Sequence, residues 1–235
     1  LTAISTGALS LGSGTVAGAL SATSNGLLNE SVGGLNVTGM ASFIQNGGGA
    51  DVDLSQANDF HGGVTISGAA INNLSLKNTD ATLNTLTLPT SVAGNLTLNY
   101  TNAALTLPVI GVGGNLDVSA GGTGITINGS VNSGGTQTYN NAVTLGGPIT
   151  LTGTTVSLAG GVTGAGNGLA IVGNTTLGTA NGLSALSVSG LSLLNGNVTT
   201  TGTQTYTGAV TLGDNDILTG TTVSLAGGVT GAGNG

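Results

Sequence analysis

Apolar and polar residues alternate along this chain in short bursts, as in Val64-Thr65-Ile66-Ser67 and Leu96-Thr97-Leu98. Glycine, asparagine, serine and aspartate separate the bursts, and these residues favour turns. Strict alternation predicts half-buried β-strands. No stretch keeps apolar residues at positions i, i+3, i+4 and i+7 over about eleven residues, so no helix is predicted.

Two internal repeats indicate how the strands are arranged. Residues 136–168 and 203–235 are identical at 27 of 33 positions. A finer repeat is the phrase Leu-Thr-Leu-Pro, which occurs at 86–89 and again at 105–108. A period of about 20 residues suits one coil of a stacked repeat protein. We therefore predict an all-β fold, a right-handed parallel β-helix (β-solenoid) with about 20–22 residues per coil. The starts of the two copies are 67 residues apart, which corresponds to about three such coils.

The alternation also predicts which side chains of the long repeat face the interior. Small branched residues are suited to the narrow space inside stacked coils, whereas Thr and Ser suit the exposed side of a strand. The predicted inward residues are Val143, Leu145, Val156 and Leu158, with Val210, Leu212, Val223 and Leu225 in the second copy. The predicted outward residues are Thr144, Ser157, Thr211 and Ser224.

One β-solenoid segment is expected to span residues 1–235. The first copy of the repeat continues past Gly168, whereas the second stops at Gly235, so we expect a fragment of a longer repetitive chain. The first residues carry neither a charged segment nor a long apolar run, which is not the pattern of a signal peptide. We expect any export signal or anchor to lie outside this segment.

Composition narrows the possible partners. The chain has one Lys or Arg against eight Asp or Glu, and only 4% of its residues are charged. Such a chain cannot neutralise phosphates, so neither nucleic acid nor an anionic membrane surface is an expected partner. The apolar runs are too short to insert into a membrane. A mean hydropathy of +0.39 argues against disorder, and the absence of cysteine excludes disulfides and thiolate metal sites.

Few residues are candidates for chemistry. His61 is the single histidine, which excludes a multi-histidine metal site and favours a position in a turn or at a rim. Asp51 and Asp53, and likewise Asp214 and Asp216, are separated by a single residue, a spacing that places two carboxylates on one face of a strand and makes them weak calcium candidates. Solvated turns are the alternative interpretation. We expect no catalytic residue, no other metal site and no cofactor.

Polysaccharide lyases and hydrolases also adopt β-helical folds. Enzymes that act on acidic sugars usually require a basic residue near the substrate, and Lys77 is the only one in this chain. Tyr100, Tyr139 and Tyr206 are possible platforms for sugars, but the last two lie at equivalent positions of the repeat, which favours a structural role. We therefore expect a protein that is not an enzyme.

The stretch that begins Asn58-Asp59-Phe60-His61-Gly62-Gly63-Val64 and continues to Gly94-Asn95-Leu96-Thr97-Leu98 resembles exported bacterial β-helix proteins of the filamentous haemagglutinin-like type. His61 is an extra residue relative to that family's phrase. The phrases at 136–146 and 203–213 are similar to repeats of giant adhesins. The resemblance covers residues 51–235 well and implies an extracellular location at a bacterial cell surface.

Two classes of function follow from these observations. The first is an extracellular scaffold, the β-helical shaft of a large surface adhesin or exoprotein. The alternative is a structural fibre or sheath protein that assembles into extracellular filaments. Expected partners are neighbouring copies or further repeats of the same chain, with host receptors or glycans bound by regions outside this segment. A third, minor interpretation is an ice-binding face formed by rows such as Thr136-Gln137-Thr138 and Thr203-Gln204-Thr205.

Overall fold

A computed structural model describes residues 1–68, 70–82 and 84–231 of the chain. Its regular elements are β-strands that pair in parallel, and no helix occurs within those three ranges. The strands stack as a β-solenoid of about 11 turns, which confirms the prediction of an all-β fold with parallel strands.

The first sixteen strands are β1 (Thr2–Ser5), β2 (Leu9–Leu11), β3 (Gly14–Val16), β4 (Leu20–Ser24), β5 (Leu28–Glu30), β6 (Leu35–Val37), β7 (Ala41–Gln45), β8 (Val52–Phe60), β9 (Val64–Gly68), β10 (Leu74–Asn78), β11 (Leu86–Thr87), β12 (Ser91–Val92), β13 (Leu96–Tyr100), β14 (Leu105–Leu107), β15 (Ile110–Val112) and β16 (Leu116–Ala120). The remainder are β17 (Ile125–Ile127), β18 (Val131–Ser133), β19 (Gln137–Tyr139), β20 (Val143–Leu145), β21 (Ile149–Leu158), β22 (Val162–Thr163), β23 (Leu169–Leu177), β24 (Ala180–Leu183), β25 (Leu186–Val188), β26 (Ser192–Leu194), β27 (Val198–Thr200), β28 (Thr203–Tyr206), β29 (Val210–Leu212), β30 (Leu218–Thr219), β31 (Thr222–Leu225) and β32 (Val229–Gly231).

The chain packs as two compact units. The first comprises Leu1–Leu105, Ile110–Asn115 and Ser119–Thr123, and the second comprises Thr106–Val109, Leu116–Val118 and Gly124–Gly235. In the first unit, β1, β4, β7, β9 and β11 stack as one five-stranded parallel sheet. Thr2 pairs with Ser21 on the next coil, and Ala41 pairs with Val64. The second pair is further apart in the sequence than the first, so the coils differ in length.

In the second unit, the strands stack on three faces. Face I contains β19, the second half of β21, the second half of β23, β26, β29 and β32. Face II contains β17, β20, β22, β24, β27 and β30. Face III contains β18, the first half of β21, the first half of β23, β25, β28 and β31. The chain therefore visits faces I, II and III in turn, with one short strand on each.

The two copies of the long repeat begin on different faces. Gln137 lies on face I, and three further coils lead from it through Val156 and Thr175 to Ser192 on the same face. Two more strands then bring the chain to Gln204 on face III. The 67 residues from Gln137 to its counterpart Gln204 thus span three and two-thirds coils. The expected three coils are wrong because coils in this unit are shorter than predicted, as the pairing of Leu169 with Leu186 shows.

The predicted core of the first copy is confirmed. Val143, Leu145, Val156 and Leu158 are each at most 2% exposed. In the second copy Val210 is buried, but Leu212, Val223 and Leu225 are only half-buried. Among the described residues, β31 and β32 each pair with a strand on one side only, and residues 232–235 of this copy lie outside the described ranges. The predicted outward residues Thr144, Ser157, Thr211 and Ser224 are half-buried or exposed.

A polar pair recurs in the interior of both copies. The Nε2 atom of Gln137 donates to the carbonyls of Val131 and Thr152 at 3.2 and 2.7 Å, and the Tyr139 hydroxyl donates to Gln137 Oε1 at 2.9 Å. In the second copy, Gln204 and Tyr206 repeat every one of these contacts, with Val198 and Thr219 supplying the carbonyls at 3.0 and 2.8 Å. The phrase Thr-Gln-Thr-Tyr therefore directs Gln and Tyr inward, where they join neighbouring segments of backbone.

Candidate functional site

Three metal-ligating side chains meet in the first unit. Asp59, His61 and Asp80 each offer one ligand atom, and these atoms all lie within 4.8 Å of one another. Among residues 1–68, 70–82 and 84–231, this is the one cluster of three or more such side chains. The cluster is therefore the candidate site of this chain.

Backbone alternation places Asp59 and His61 beside each other. Asp59 lies near the end of β8, and His61 follows that strand. Phe60, between them, is fully buried and packs its ring edge-on against Phe43 at 5.7 Å. Because side chains alternate along an extended chain, the inward anchoring of Phe60 directs both neighbours outward. His61 N also donates to the Val37 carbonyl at 3.0 Å, which fixes the end of the strand on the coil before it.

Two asparagines hold the chain segments that carry the cluster. Asn78 is fully buried, and its Oδ1 accepts hydrogen bonds from Phe60 N at 3.0 Å and from Asp80 N at 3.2 Å. One amide oxygen thus joins the segment of Asp59 and His61 to the segment of Asp80. Asn84 donates from Nδ2 to the Phe60 carbonyl. The backbone of Phe60 is therefore held by side chains at both its N–H and its carbonyl.

The imidazole of His61 lies between the two carboxylates. His61 Nε2 is 3.2 Å from Asp59 Oδ2, and His61 Nδ1 is paired with Asp80 Oδ2. The side chains of His61 and Asp59 are 43% and 36% exposed, whereas that of Asp80 is 3% exposed. The site therefore has one buried carboxylate behind the ring and one accessible carboxylate in front of it.

Further hydrogen bonds hold the Asp80 carboxylate in its position beside His61. Its Oδ1 accepts from both the backbone N–H and the hydroxyl of Thr82, which leaves Oδ2 for His61. Burial favours the neutral form of Asp80, but the hydrogen bonds from Thr82 and the adjacent imidazole outweigh burial and hold the pKa of this carboxyl below its ordinary value. Asp80 is consequently a fixed, ionised acceptor for the ring.

Each ring nitrogen of His61 faces a carboxylate oxygen. When Nδ1 of a neutral imidazole donates to Asp80, Nε2 carries a lone pair. That lone pair then faces the Asp59 carboxylate at 3.2 Å, and Asp59 Oδ2 has Asn36 Nδ2 at 2.9 Å as its other polar neighbour. Two acceptors at this distance repel unless a proton on Nε2 or a metal ion lies between them.

The first pair of calcium candidates is engaged in hydrogen bonds. Asp51 Oδ1 accepts from the backbone N–H of Asn73 and from Asn72 Nδ2, both at 2.9 Å. The backbone hydrogen bond from Asn73 is the main reason that the pKa of Asp51 is below its ordinary value. Asp53 accepts from Ser55 N at 3.2 Å and is exposed. The pair is not part of a cluster of three ligating groups among the described residues.

The second pair of calcium candidates adopts a geometry that differs from the prediction. Asp214 and Asp216 lie in a bend between β29 and β30, not on a strand. The N–H of Asn215 donates to Asp214 Oδ1 at 2.8 Å, and the N–H of Asp216 donates to the Asp214 carbonyl at 2.9 Å. The expectation that strand alternation aligns these two carboxylates is therefore wrong, because the run of polar residues here forms a turn.

The sequence pattern pointed to His61 but not to its partners. The prediction that His61 lies in a turn or at a rim agrees with its position beyond β8 and its partial exposure. Asp59 and Asp80 were not predicted as site residues, yet their separation in the sequence lies within the coil length predicted from the repeats. A search for acidic residues one predicted coil beyond Asp59 would have found Asp80.

The tyrosines are structural. Tyr100, Tyr139 and Tyr206 are each at most 1% exposed, so none presents a ring to a sugar. Burial raises the pKa of each phenol well above its ordinary value. The structural interpretation of Tyr139 and Tyr206 is confirmed, and burial of Tyr100 excludes it equally as a platform for sugars.

Comparison with known proteins reaches only part of the chain. Residues 1–67 match a family described as repeats of unknown function (DUF5649), and no curated protein or solved structure matches. The matched segment includes Asp59 and His61 but not Asp80. The described residues contain no helix that is long and apolar enough to cross a membrane. Together with the fold, the match identifies a repeat protein of β-solenoid architecture, and the resemblance to filamentous haemagglutinin-like proteins stays a prediction.

Proposed function

We propose that this chain is an extracellular structural scaffold, the β-helical shaft of a large bacterial surface adhesin or exoprotein. The observation that carries the proposal is the change of face between the two copies of the long repeat. Thr144 lies on face II, whereas its counterpart Thr211 lies on face I. Copies that point in different directions cannot form one continuous row of binding sites, but they can extend a stack equally well.

What the copies share also supports a mechanical role. Both retain the inward Val and Leu residues and the buried Gln and Tyr pair with its hydrogen bonds. The shared features stabilise a coil from inside. Rows of Thr on one flat face, which an ice-binding function requires, are not formed by the two Thr-Gln-Thr phrases because β19 and β28 lie on faces I and III.

One depression on the second unit offers little for catalysis. An open depression in this unit is lined by backbone and by Thr150, Ser187, Thr203 and Thr205 among its polar side chains, and no titratable residue lines it. General acid or base catalysis needs a titratable group at the reacting atom. We therefore do not propose an enzymatic activity for this segment.

The proposal places the chain at a bacterial cell surface, with further repeats of the same polypeptide as its neighbours. Receptors or glycans would be bound by regions outside this segment. Neither nucleic acid nor membrane insertion is part of the proposal, because the chain has a single basic residue and most of its large apolar residues face the coil interior.

A self-assembling fibre is the second candidate function. Low surface charge favours it, since 4% charged residues give little repulsion between neighbouring copies.

Sedimentation and electron microscopy of the purified chain separate the two candidates. A scaffold segment should sediment as a 22.1 kDa monomer at micromolar concentration, whereas a fibre protein should form filaments of uniform cross-section. Protease accessibility on intact cells tests the location, and cleavage only after lysis would contradict an extracellular role. Hydrolysis of a polysaccharide that is lost in Asp51→Asn or Asp53→Asn would contradict both candidates.

A further inference from the structure

We propose that Asp59 and His61 bind a divalent transition-metal ion of the zinc class, with Asp80 as the residue that orients the imidazole. This site is independent of the scaffold function. The proposal rests on three observations. His61 Nε2 faces a carboxylate oxygen of Asp59, and the buried Asp80 contacts the other ring nitrogen. Asn78 holds the backbone on both sides of the cluster in place.

The distances suit a shared metal ion. Zinc lies about 2.0–2.2 Å from imidazole nitrogen and carboxylate oxygen, so two of its ligands in tetrahedral geometry are about 3.4 Å apart. His61 Nε2 and Asp59 Oδ2 are 3.2 Å apart. Only a small movement of either side chain is needed to admit the ion, and both side chains are accessible to solvent. Water molecules would complete the coordination.

Asp80 supplies the feature that distinguishes a metal site from an isolated surface histidine. A histidine ligand usually donates its second ring N–H to a carboxylate, which fixes the tautomer and makes the other nitrogen a better donor to the metal. His61 Nδ1 is hydrogen-bonded to Asp80, which is buried and held by Thr82. The arrangement directs Nε2, and not Nδ1, toward the ion.

The ligand types determine the class of cation. Calcium and magnesium prefer sites formed entirely by oxygen atoms, whereas zinc and its neighbours accept imidazole together with carboxylate. The immediate surroundings favour positive charge, because Asp59 and Asp80 are both acids. Bound zinc would join Asp59 and His61 at the end of β8.

Preorganisation favours binding at this point of the coil. Asn78 fixes the N–H groups of Phe60 and Asp80 together, so the two segments cannot separate without breaking buried hydrogen bonds. Asn84, which contacts the Phe60 carbonyl, also has a buried Oδ1 atom without a hydrogen-bond partner among the described residues. The ion would therefore meet ligands that are already in place.

Isothermal titration of the metal-free chain with zinc chloride tests the proposal. We expect one site in the wild-type chain and a rise in melting temperature at saturating zinc. Asp59→Asn and His61→Gln should lose the site, and Asp80→Asn should weaken it about 10- to 100-fold, as expected for the partner of a metal-bound histidine. Asp117→Asn removes an equivalent charge far along the sequence and should bind zinc like the wild-type chain. Circular dichroism verifies that each variant is folded.

Nitrogen-15 NMR of the imidazole gives a second measurement that does not depend on variants. Because His61 is the only histidine, its two ring nitrogens are assigned without ambiguity. Zinc should bind Nε2 while Nδ1 keeps its proton. Binding through Nδ1, no binding at millimolar zinc, or equal affinity in the wild-type, Asp59→Asn and Asp80→Asn chains would overturn the proposal, the last result identifying a lone surface histidine. Stronger binding of calcium than of zinc would overturn it as well.

Discussion

Among the described residues, polar side chains enter the interiors of both units, but only the first unit buries charged ones. Its buried polar side chains include Glu30, Asn58, Asn78 and Asp80. Those of the second unit, within the same described ranges, are all neutral, namely Ser133, Gln137, Thr175, Ser192, Thr200 and Gln204. The neutral Gln and Tyr pairs satisfy one another and the local backbone, so they can be copied to any coil. Each buried carboxylate depends on its own set of partners, and that arrangement occurs once among the described residues.

Glu30 illustrates that dependence. Its Oε2 accepts from Gln56 N and Asn58 Nδ2, both at 3.1 Å, whereas its buried Oε1 has no hydrogen-bond partner among the described residues. Asn58 in turn accepts from Leu35 N at 2.8 Å. A buried carboxylate therefore needs a neighbouring coil with a suitable amide, and a charged group placed without that partner should destabilise the stack.

The largest expected effect comes from placing a charge in the neutral interior. Leu158→Asp would bury a carboxylate in the second unit without an amide partner, which should lower the free energy of unfolding by about 3–5 kcal/mol. Urea unfolding followed by circular dichroism measures the loss. Leu225→Asp changes the same position of the repeat where the side chain is half-buried, and we expect about 1–2 kcal/mol there. Equal losses at the two positions would contradict the assigned burial.

An intermediate effect is expected when a tyrosine loses its hydroxyl. Tyr139→Phe and Tyr206→Phe leave Gln137 Oε1 and Gln204 Oε1 without their donors, and each should cost about 1–2 kcal/mol. Tyr100 is the matched control, since its buried hydroxyl has no partner among the described residues. Tyr100→Phe should be neutral or stabilise the chain by up to about 1 kcal/mol. A loss at Tyr100 as large as at Tyr139 would show that the pairs are not what stabilises the coil.

The smallest effects concern pH and should be confined to the first unit. Burial raises the pKa of Glu30 despite hydrogen bonds from Asn58 and Gln56, so its ionisation weakens the fold as pH rises through the folded-state pKa. The pKa of Asp51 is lowered, so its contribution is present at neutral pH and is lost as pH falls through the folded-state pKa. Each effect should be about 1 kcal/mol or less, because neither group is fully removed from solvent.

Stability curves of Glu30→Gln and Asp51→Asn against pH measure these two contributions. Relative to the wild-type chain, Glu30→Gln should gain stability as pH rises from about 4 to 7. Asp51→Asn should be less stable than the wild-type chain at neutral pH, and this difference should disappear as pH falls below about 4. The cost of Tyr139→Phe should stay constant over the same range. A pH-dependent cost at Tyr139 would mean that the second interior is also coupled to a titrating group.

Alternation was sufficient to predict the strands and much of the core. Val143 and Leu158 lie inward as expected because one strand face must be apolar to stack. The path of the coils was harder to predict. The coil that pairs Leu169 with Leu186 is short, whereas the coil that pairs Ala41 with Val64 is longer, so a sequence period does not determine the number of turns.

Because coil length varies, the sequence pattern did not predict the cluster of Asp59, His61 and Asp80. Asp80 approaches His61 only because the coil between them has a particular length and because Asn78, a polar residue at an inward position, fixes the register. Sequence patterns treat an inward asparagine as an interruption of the apolar alternation. Here it supplies the hydrogen bonds that bring Asp59, His61 and Asp80 together.

The change of face also bears on how such a gene can grow. Since Gln137 and Gln204 form the same contacts on different faces, a tandem duplication need not contain a whole number of coils to be tolerated. A duplication that adds complete strand-and-turn segments is enough, which enlarges the set of recombination events that leave the protein folded. Loops inserted after the equivalent residues Gly146 and Gly213 would then project from different sides, so successive duplications would distribute new segments around the axis.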